Sequence, residues 1–166
     1  MITLVLGGAR SGKSEVAERI AARLPAPVTY LATMVPGADP DLAARIEAHR
    51  ARRPAHWRTI ETGPALPAVL CSAVGSVLLD GLGPWVAASP GMRVDAEALC
   101  DGLTSRAAST VVVSDEVGLG VHPATQHGRC FRDALGMLNQ SVAAVADEVL
   151  LVVAGRILRL DPPGVG

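Results

Sequence analysis

Short apolar stretches alternate with stretches of helical periodicity along this 166-residue chain. The apolar stretches are nearly continuous and rich in Val, Leu and Ile, which is typical of parallel strands buried on both faces. The predicted strands are Thr3–Leu6, Val28–Ala32, Val77–Leu79, Thr110–Val113 and Glu148–Val153. The predicted helices are Ser14–Leu24, Asp41–Arg53, Leu66–Ala73, Asp95–Ala107 and Phe131–Ala146.

This alternation predicts an α/β fold, with a mostly parallel sheet and helices on both of its faces. After Glu148–Val153, a turn at Ala154–Arg156 leads into the apolar run Ile157–Leu160. That arrangement predicts a C-terminal antiparallel hairpin at the edge of the sheet. The length suits one domain, and no linker divides the chain, so residues 1–166 are expected to form a single domain.

Composition excludes several classes of function. Hydrophobic residues make up 49% of the chain, but only four residues are aromatic, so the core is expected to consist of aliphatic side chains. The net charge of −1 favours neither nucleic acid nor an anionic membrane as a partner. No apolar run is long enough to span a membrane, so no stable insertion is expected. The three cysteines are widely spaced, which favours reduced thiols and a cytoplasmic location.

The only lysine of the chain lies in a glycine-rich octet between a predicted strand and a predicted helix. This octet matches the P-loop pattern G-x-x-x-x-G-K-[ST], whose backbone N–H groups bind phosphate oxygens. Lys13 is expected to bridge the β- and γ-phosphates, and Ser14 is expected to place its hydroxyl on Mg²⁺. The octet is Gly7, Gly8, Ala9, Arg10, Ser11, Gly12, Lys13 and Ser14.

Carboxylates end two of the predicted strands. Asp80 directly follows Val77–Leu79, and we expect it to lie beside the first strand and to hold the magnesium shell. Asp115 and Glu116 follow Thr110–Val113, where each is a candidate for an outer magnesium group or a base. A solvated loop acid or a helix cap explains these two residues equally well.

The segment from Arg45 to Arg58 is locally basic, although the whole chain is nearly neutral. On a helix, His49 shares a face with Leu42 and Ile46. A partly buried histidine on a solvated basic helix explains this spacing. A nucleophile that attacks a phosphate is the alternative.

Motifs spread over nearly the whole chain follow the pattern of one enzyme family. They are Gly7–Ser14, Tyr30–Thr33, Arg45–Arg50, Arg53–Glu61, Leu79–Asp80, Trp85–Val86, Asp115–Gly120, Phe131–Asp133, Asn139–Gln140 and Val152–Gly155. In these motifs the chain resembles the bifunctional adenosylcobinamide kinase/adenosylcobinamide-phosphate guanylyltransferase. The His-Arg, Trp-x-Thr-Ile-Glu and Glu-Val-Gly-x-Gly motifs are much more specific than the P-loop.

The resemblance implies a P-loop fold, commonly a homotrimer, and two reactions of cobalamin biosynthesis. In the first, ATP or GTP phosphorylates the terminal hydroxyl of adenosylcobinamide, the corrinoid substrate. In the second, a histidine takes GMP from GTP and passes it to that phosphate, which gives adenosylcobinamide-GDP. His49 matches this histidine and joins Lys13 as a catalytic candidate. The implied nucleotide contacts are Gly7–Ser14, Ala32, Thr33, Met34, Arg50, Ala51, Arg52, Arg53, Glu61 and Asp80.

Two departures from the family pattern lie near the expected magnesium site, for which Ser14, Asp80 and Glu116 are the candidates. The family usually has a polar residue and then Leu-Thr-Leu-Trp after the aspartate, whereas this chain has Gly81-Leu82-Gly83-Pro84-Trp85. The family usually has Asn where this chain has Asp115. Two other functions fit the P-loop: a small-metabolite kinase without a covalent intermediate, and a non-catalytic nucleotide-binding module.

Overall fold

The structure, a computed structural model, describes residues 1–34, 54–162 and 164. The predicted helix Asp41–Arg53 lies outside these residues. The strands are β1 (Ile2–Gly7), β2 (Val28–Ala32), β3 (Arg58–Glu61), β4 (Ser76–Asp80), β5 (Thr110–Asp115), β6 (Glu148–Val153) and β7 (Arg156–Leu160). The described α-helices are α1 (Lys13–Ala21), α2 (Leu66–Ser72), α3 (Leu82–Ala88), α4 (Ala96–Ser105) and α5 (Gln126–Val145).

The seven strands form one sheet in the order β3-β2-β4-β5-β1-β6-β7. Strands β1 to β6 are parallel, and only β7 is antiparallel, to its neighbour β6. The predicted parallel sheet and C-terminal edge hairpin are therefore confirmed. The expectation that the Asp80 strand lies beside β1 is wrong, because β5 pairs with both strands and separates them.

Helices cover both faces of the sheet, as predicted. Helix α1 packs on one face through Val16, Ala17 and Ala21. Helices α2 to α5 contribute to the core on the other face, with Leu70, Trp85, Leu99 and Leu138 among the buried side chains. Among the described helices, none is long and apolar enough to cross a membrane.

Two described elements were not predicted. Strand β3 has mostly exposed residues, so it lacks the apolar run that marks a buried strand. Helix α3 contains Gly83 and Pro84, which normally argue against a helix. Both residues lie in its first turn, where backbone N–H groups have no partner within the helix, so the proline is tolerated there. In addition, α1 ends at Ala21 rather than Leu24, and α5 begins five residues before the predicted Phe131.

Candidate active site

The P-loop connects the end of β1 to the N-terminus of α1. Ser11 N donates to the Gly8 carbonyl at 3.2 Å, which closes a tight turn. Gly12 has a φ of 91°, a left-handed conformation that favours glycine, and the helix starts at the next residue. Gly8, Ala9 and Arg10 are exposed. The exposed residues of the loop thus lie close in sequence to a helix N-terminus, the arrangement that attracts anions.

The turn between β6 and β7 supports this loop from the side. Gly155 N donates to the Ser11 carbonyl at 2.8 Å. The sequence predicts the hairpin but not this contact, because strand periodicity does not show which loops meet. The contact places the edge hairpin directly beside the P-loop.

Lys13 makes two polar contacts at the mouth of the loop. Its Nζ lies 2.8 Å from Asp115 Oδ1 and donates to the Gly8 carbonyl at 3.2 Å. Asp115 reaches the lysine because β5 is the neighbour of β1, with Gly7 and Asp115 paired in register. The ammonium therefore lies between the loop backbone and a carboxylate from the adjacent strand.

Polar contacts and close packing fix the end of β5. The buried Ser114 hydroxyl donates to Asn139 Oδ1 at 2.6 Å, and Asn139 Nδ2 donates to the Asp115 carbonyl at 3.0 Å. A Cβ atom on Gly83 would lie 2.5 Å from Asp115 Oδ2, so the carboxylate occupies space that a side chain at position 83 would need. Two of the positions at which the chain departs from the pattern of the family it resembles, 83 and 115, therefore lie close together.

Asp80 is the last residue of β4. It is held by Tyr30 of β2 and by Thr33, which directly follows β2. The phenol of the fully buried Tyr30 donates to Asp80 Oδ2. The Thr33 hydroxyl contacts the Asp80 carbonyl at 3.0 Å and the Gly81 carbonyl at 2.5 Å. Tyr30 is the only tyrosine of the chain, but the strand pattern predicts only that it is buried, not that it reaches Asp80.

The other predicted residues of β2 and β3 lie at the same edge of the sheet. Ala32 pairs in register with Asp80 on one side and with Glu61 on the other. Thr33 is buried, Met34 is half-buried and Glu61 is exposed. The carboxyl ends of the parallel strands thus bring together Ala32, Glu61 and Asp80, where ligands bind in open α/β sheets.

Other predicted site residues divide into two groups. His49, Arg50, Ala51, Arg52 and Arg53 lie outside the described residues, so their roles remain predictions. The carboxylate of Glu116 accepts from Gly118 N through both oxygens, at 2.8 and 3.0 Å, and so shapes the loop after β5. Within residues 1–34 and 54–162, no group of three or more His, Cys, Asp or Glu side chains forms a metal cluster.

Comparisons with known proteins find matches over nearly the whole chain. Residues 3–160 match the family described as cobinamide kinase / cobinamide phosphate guanyltransferase. The bifunctional adenosylcobalamin biosynthesis protein CobP of Pseudomonas aeruginosa is 42% identical, over 93% of this chain and 94% of the relative. The bifunctional adenosylcobalamin biosynthesis protein CobU is 40% identical in Salmonella typhimurium and 36% identical in Escherichia coli. Each of these two matches covers 93% of this chain and 97% of the relative.

Solved structures with low sequence identity share the fold. The flagellar accessory protein FlaH of Methanocaldococcus jannaschii has a TM-score of 0.51 at 13% identity, and the match covers 94% of this chain and 74% of that one. The VirB11 ATPase of Brucella suis has a TM-score of 0.52 at 14% identity, with coverage of 96% and 47%. These likenesses support a P-loop NTPase fold and nothing narrower.

Proposed function

Because this chain belongs to the cobinamide kinase/cobinamide phosphate guanylyltransferase family, it is an enzyme of cobalamin biosynthesis, and we propose that both of its reactions use the P-loop at Gly7–Ser14. One observation carries the proposal: Lys13 holds its ammonium at the mouth of an exposed glycine loop that leads into a helix N-terminus. This is the chemistry that a triphosphate requires.

In the proposed kinase step, the terminal hydroxyl oxygen of adenosylcobinamide attacks the γ-phosphorus of ATP or GTP. The new P–O bond forms as the bond to the β-phosphate oxygen breaks, the nucleoside diphosphate leaves and the hydroxyl proton passes to solvent water. Lys13 and the loop N–H groups stabilise the negative charge on the phosphoryl oxygens. Direct transfer of this kind needs no covalent enzyme intermediate.

In the proposed guanylyl step, a ring nitrogen of His49 attacks the α-phosphorus of GTP, and pyrophosphate leaves. A phosphate oxygen of adenosylcobinamide phosphate then attacks the same phosphorus, and the N–P bond breaks to release adenosylcobinamide-GDP. Support for His49 comes from the His-Arg motif and from the surrounding basic segment. A histidine suits this role because its neutral ring is well populated near pH 7.

We further propose that Ser14 and Asp80 hold Mg²⁺ together with the substrate phosphates, while Ala32–Met34, Arg50–Arg53 and Glu61 contact the nucleotide. The donors suit this ion, because it prefers oxygen ligands and usually keeps several waters and phosphate oxygens. When bound, Mg²⁺ supplies positive charge close to the transferring phosphoryl group. Glu116 is a weaker candidate, since its carboxylate already binds Gly118 N.

We also propose a domain organisation, an oligomeric state and a cellular location. A single P-loop domain over residues 1–166 and assembly into a homotrimer follow from the resemblance to the family. A cytoplasmic location agrees with the three free cysteines at positions 71, 100 and 130.

The covalent intermediate provides the sharpest test of this proposal. The protein is incubated with α-labelled GTP and Mg²⁺ and denatured, and the chain is examined for label. We expect a phosphoramidate, which is lost in acid and survives alkali. His49→Ala should abolish the label and guanylyl transfer but keep part of the kinase activity. His56 is exposed, and His56→Ala is the matched control, which should keep the label.

Substitutions of Lys13 test the role of the P-loop in the same assay, separately from the role of His49. Both Lys13→Ala and Lys13→Arg should lose the kinase and guanylyl reactions, because a planar guanidinium does not replace a compact ammonium. An acid-stable label, or full labelling of His49→Ala, would identify another nucleophile. Equal turnover in Lys13→Ala would reject the P-loop assignment.

A further inference from the structure

Asp115 holds the same ammonium that the proposed mechanism assigns to the nucleotide phosphates. The distance between Lys13 Nζ and Asp115 Oδ1 is 2.8 Å, and the side chains are 14% and 34% exposed, respectively. The lysine side chain is mostly buried and the aspartate side chain is partly exposed, so salt screens this pair less than a pair on the open surface. The charge of the P-loop lysine is therefore compensated within the protein itself.

Hydrogen bonds hold the backbone at the end of β5, which carries Asp115. Asn139 Nδ2 binds the Asp115 carbonyl, and Glu116 N donates to the Gly7 carbonyl at 3.1 Å, so the end of β5 is tied to both α5 and β1. The carboxylate itself lies close to Gly83, where an added Cβ atom would be 2.5 Å from Asp115 Oδ2. The backbone that carries Asp115 is therefore fixed, and Gly83 leaves space for the carboxylate beside Lys13.

The charge of the pair depends on the carboxylate at position 115. An asparagine there would carry no charge and so would not compete with phosphate for an ammonium. Because Asn and Asp have nearly the same volume, Asp115→Asn removes the pair with little change in packing.

We propose that Asp115 is a specificity-determining residue that competes with the nucleotide phosphates for Lys13 and so weakens binding of nucleotide that carries no Mg²⁺. This inference rests on the proposed role of Lys13. For a triphosphate to reach the ammonium, the Lys13–Asp115 pair must open, and the released carboxylate then lies close to negative phosphate oxygens. A triphosphate complexed with Mg²⁺ carries less negative charge, so it is disfavoured less.

The test is direct measurement of GTP binding by titration calorimetry, with the full chain, in Mg²⁺ and separately in EDTA. In EDTA, Asp115→Asn should bind GTP roughly three- to tenfold more tightly than the wild type, as expected for loss of a competing ion pair. In Mg²⁺ the gain should be smaller. Asp101→Asn, at an exposed position on α4, removes the same charge elsewhere and should leave both affinities unchanged.

A Lys13→Ala background separates competition for the lysine from general repulsion. There, Asp115→Asn should give a clearly smaller gain in affinity than in the wild type, because no ammonium remains to compete for. Unchanged or weaker GTP binding by Asp115→Asn, an equal gain with and without Mg²⁺, or an undiminished gain without Lys13 would overturn the proposal. Thermal melts verify that each variant is folded. If Lys13→Ala alone leaves GTP binding unchanged, the P-loop function itself is rejected.

Discussion

At the scale of single residues, two carboxylates at the carboxyl edge of the sheet have different partners. Asp115 contacts the ammonium of Lys13, whereas Asp80 accepts a hydrogen bond from the buried phenol of Tyr30. The phenol fixes the direction of the Asp80 carboxylate. In the proposed magnesium site, Tyr30 is therefore the residue that orients the Asp80 ligand.

Substitutions at Asp80 and Tyr30 test this assignment. Asp80→Asn should raise the Mg²⁺ concentration needed for half-maximal turnover by roughly a hundredfold, and Tyr30→Phe should raise it by roughly tenfold, because a partner that orients a ligand contributes less than the ligand. Tyr30→Phe keeps the buried ring, so the melting temperature serves as the control for core packing. A magnesium titration that is unchanged in Asp80→Asn would remove Asp80 from the site.

Single residues also show how far sequence reasoning reaches. The sequence predicts Lys13 and Ser14 as site residues because the P-loop pattern is local, and it predicts Asp80 because that residue ends an apolar run. The hydrogen bond from Tyr30 and the contact between Gly83 and Asp115 join residues far apart in sequence. Their geometry depends on the strand order, which periodicity does not encode.

At the scale of secondary-structure elements, Arg106 links three segments at the amino ends of the parallel strands, opposite to the end that carries the P-loop. It follows α4, and its Nη1 donates to the carbonyls of Leu70 and Ala73 at 2.8 and 2.7 Å. Its Nη2 donates to the Gly75 carbonyl at 2.5 Å, just before β4. Burial removes part of the hydration of the Arg106 guanidinium and so lowers its pKa. The guanidinium thus caps α2 and anchors the turn into β4.

Removal of this guanidinium should destabilise the fold. Arg106→Ala is expected to lower the free energy of unfolding by about 2–3 kcal/mol, because several carbonyls at the end of α2 lose a charged donor. The stability of Arg106→Lys should lie between those of the wild type and Arg106→Ala, since an ammonium cannot reach all the acceptors in the same plane. Urea unfolding measures the effect, and Arg93→Ala, at an exposed position, is the control. Equal stability of Arg106→Ala and Arg93→Ala would contradict this account.

The elements themselves were predicted unevenly, for a physical reason. Strands β2 and β6 match their predicted bounds because both are mostly apolar runs between clear breaks. Strand β3 is short and exposed, so its formation depends on pairing with β2 rather than on its own pattern. Helix α3 forms despite Gly83 and Pro84 because its Leu82, Trp85 and Val86 side chains are buried in the core.

At the scale of the whole molecule, the fold class followed from the sequence but the order of strands did not. Alternating strands and helices predict a parallel sheet with two covered faces, whichever strand lies next to β1. The insertion of β5 between β1 and β4 has a direct consequence for the site. It places Asp115 next to the P-loop lysine. The expected pairing of the Asp80 strand with β1 would have placed Asp80 there instead.

The outer edge of the sheet carries the last prediction, which concerns self-association. All five residues of β7 are exposed, and they include Ile157 at 54%, Leu158 at 58% and Leu160 at 37% exposure. An edge strand with apolar side chains on both faces is a surface at which further chains pair. Light scattering at micromolar concentration should therefore detect a species heavier than the 17.1 kDa chain, with about three times that mass for the proposed homotrimer.

Charge placed on this edge should oppose the association. Leu158→Glu is expected to shift the population toward the single chain, because a carboxylate at an apolar contact would have to lose its hydration. Val74→Glu changes another exposed apolar residue, at 64% exposure in the connection between α2 and β4, and should leave the mass unchanged. A wild-type protein that scatters only as a 17.1 kDa species would contradict self-association. An assembly that Leu158→Glu leaves intact would place the contact on another surface.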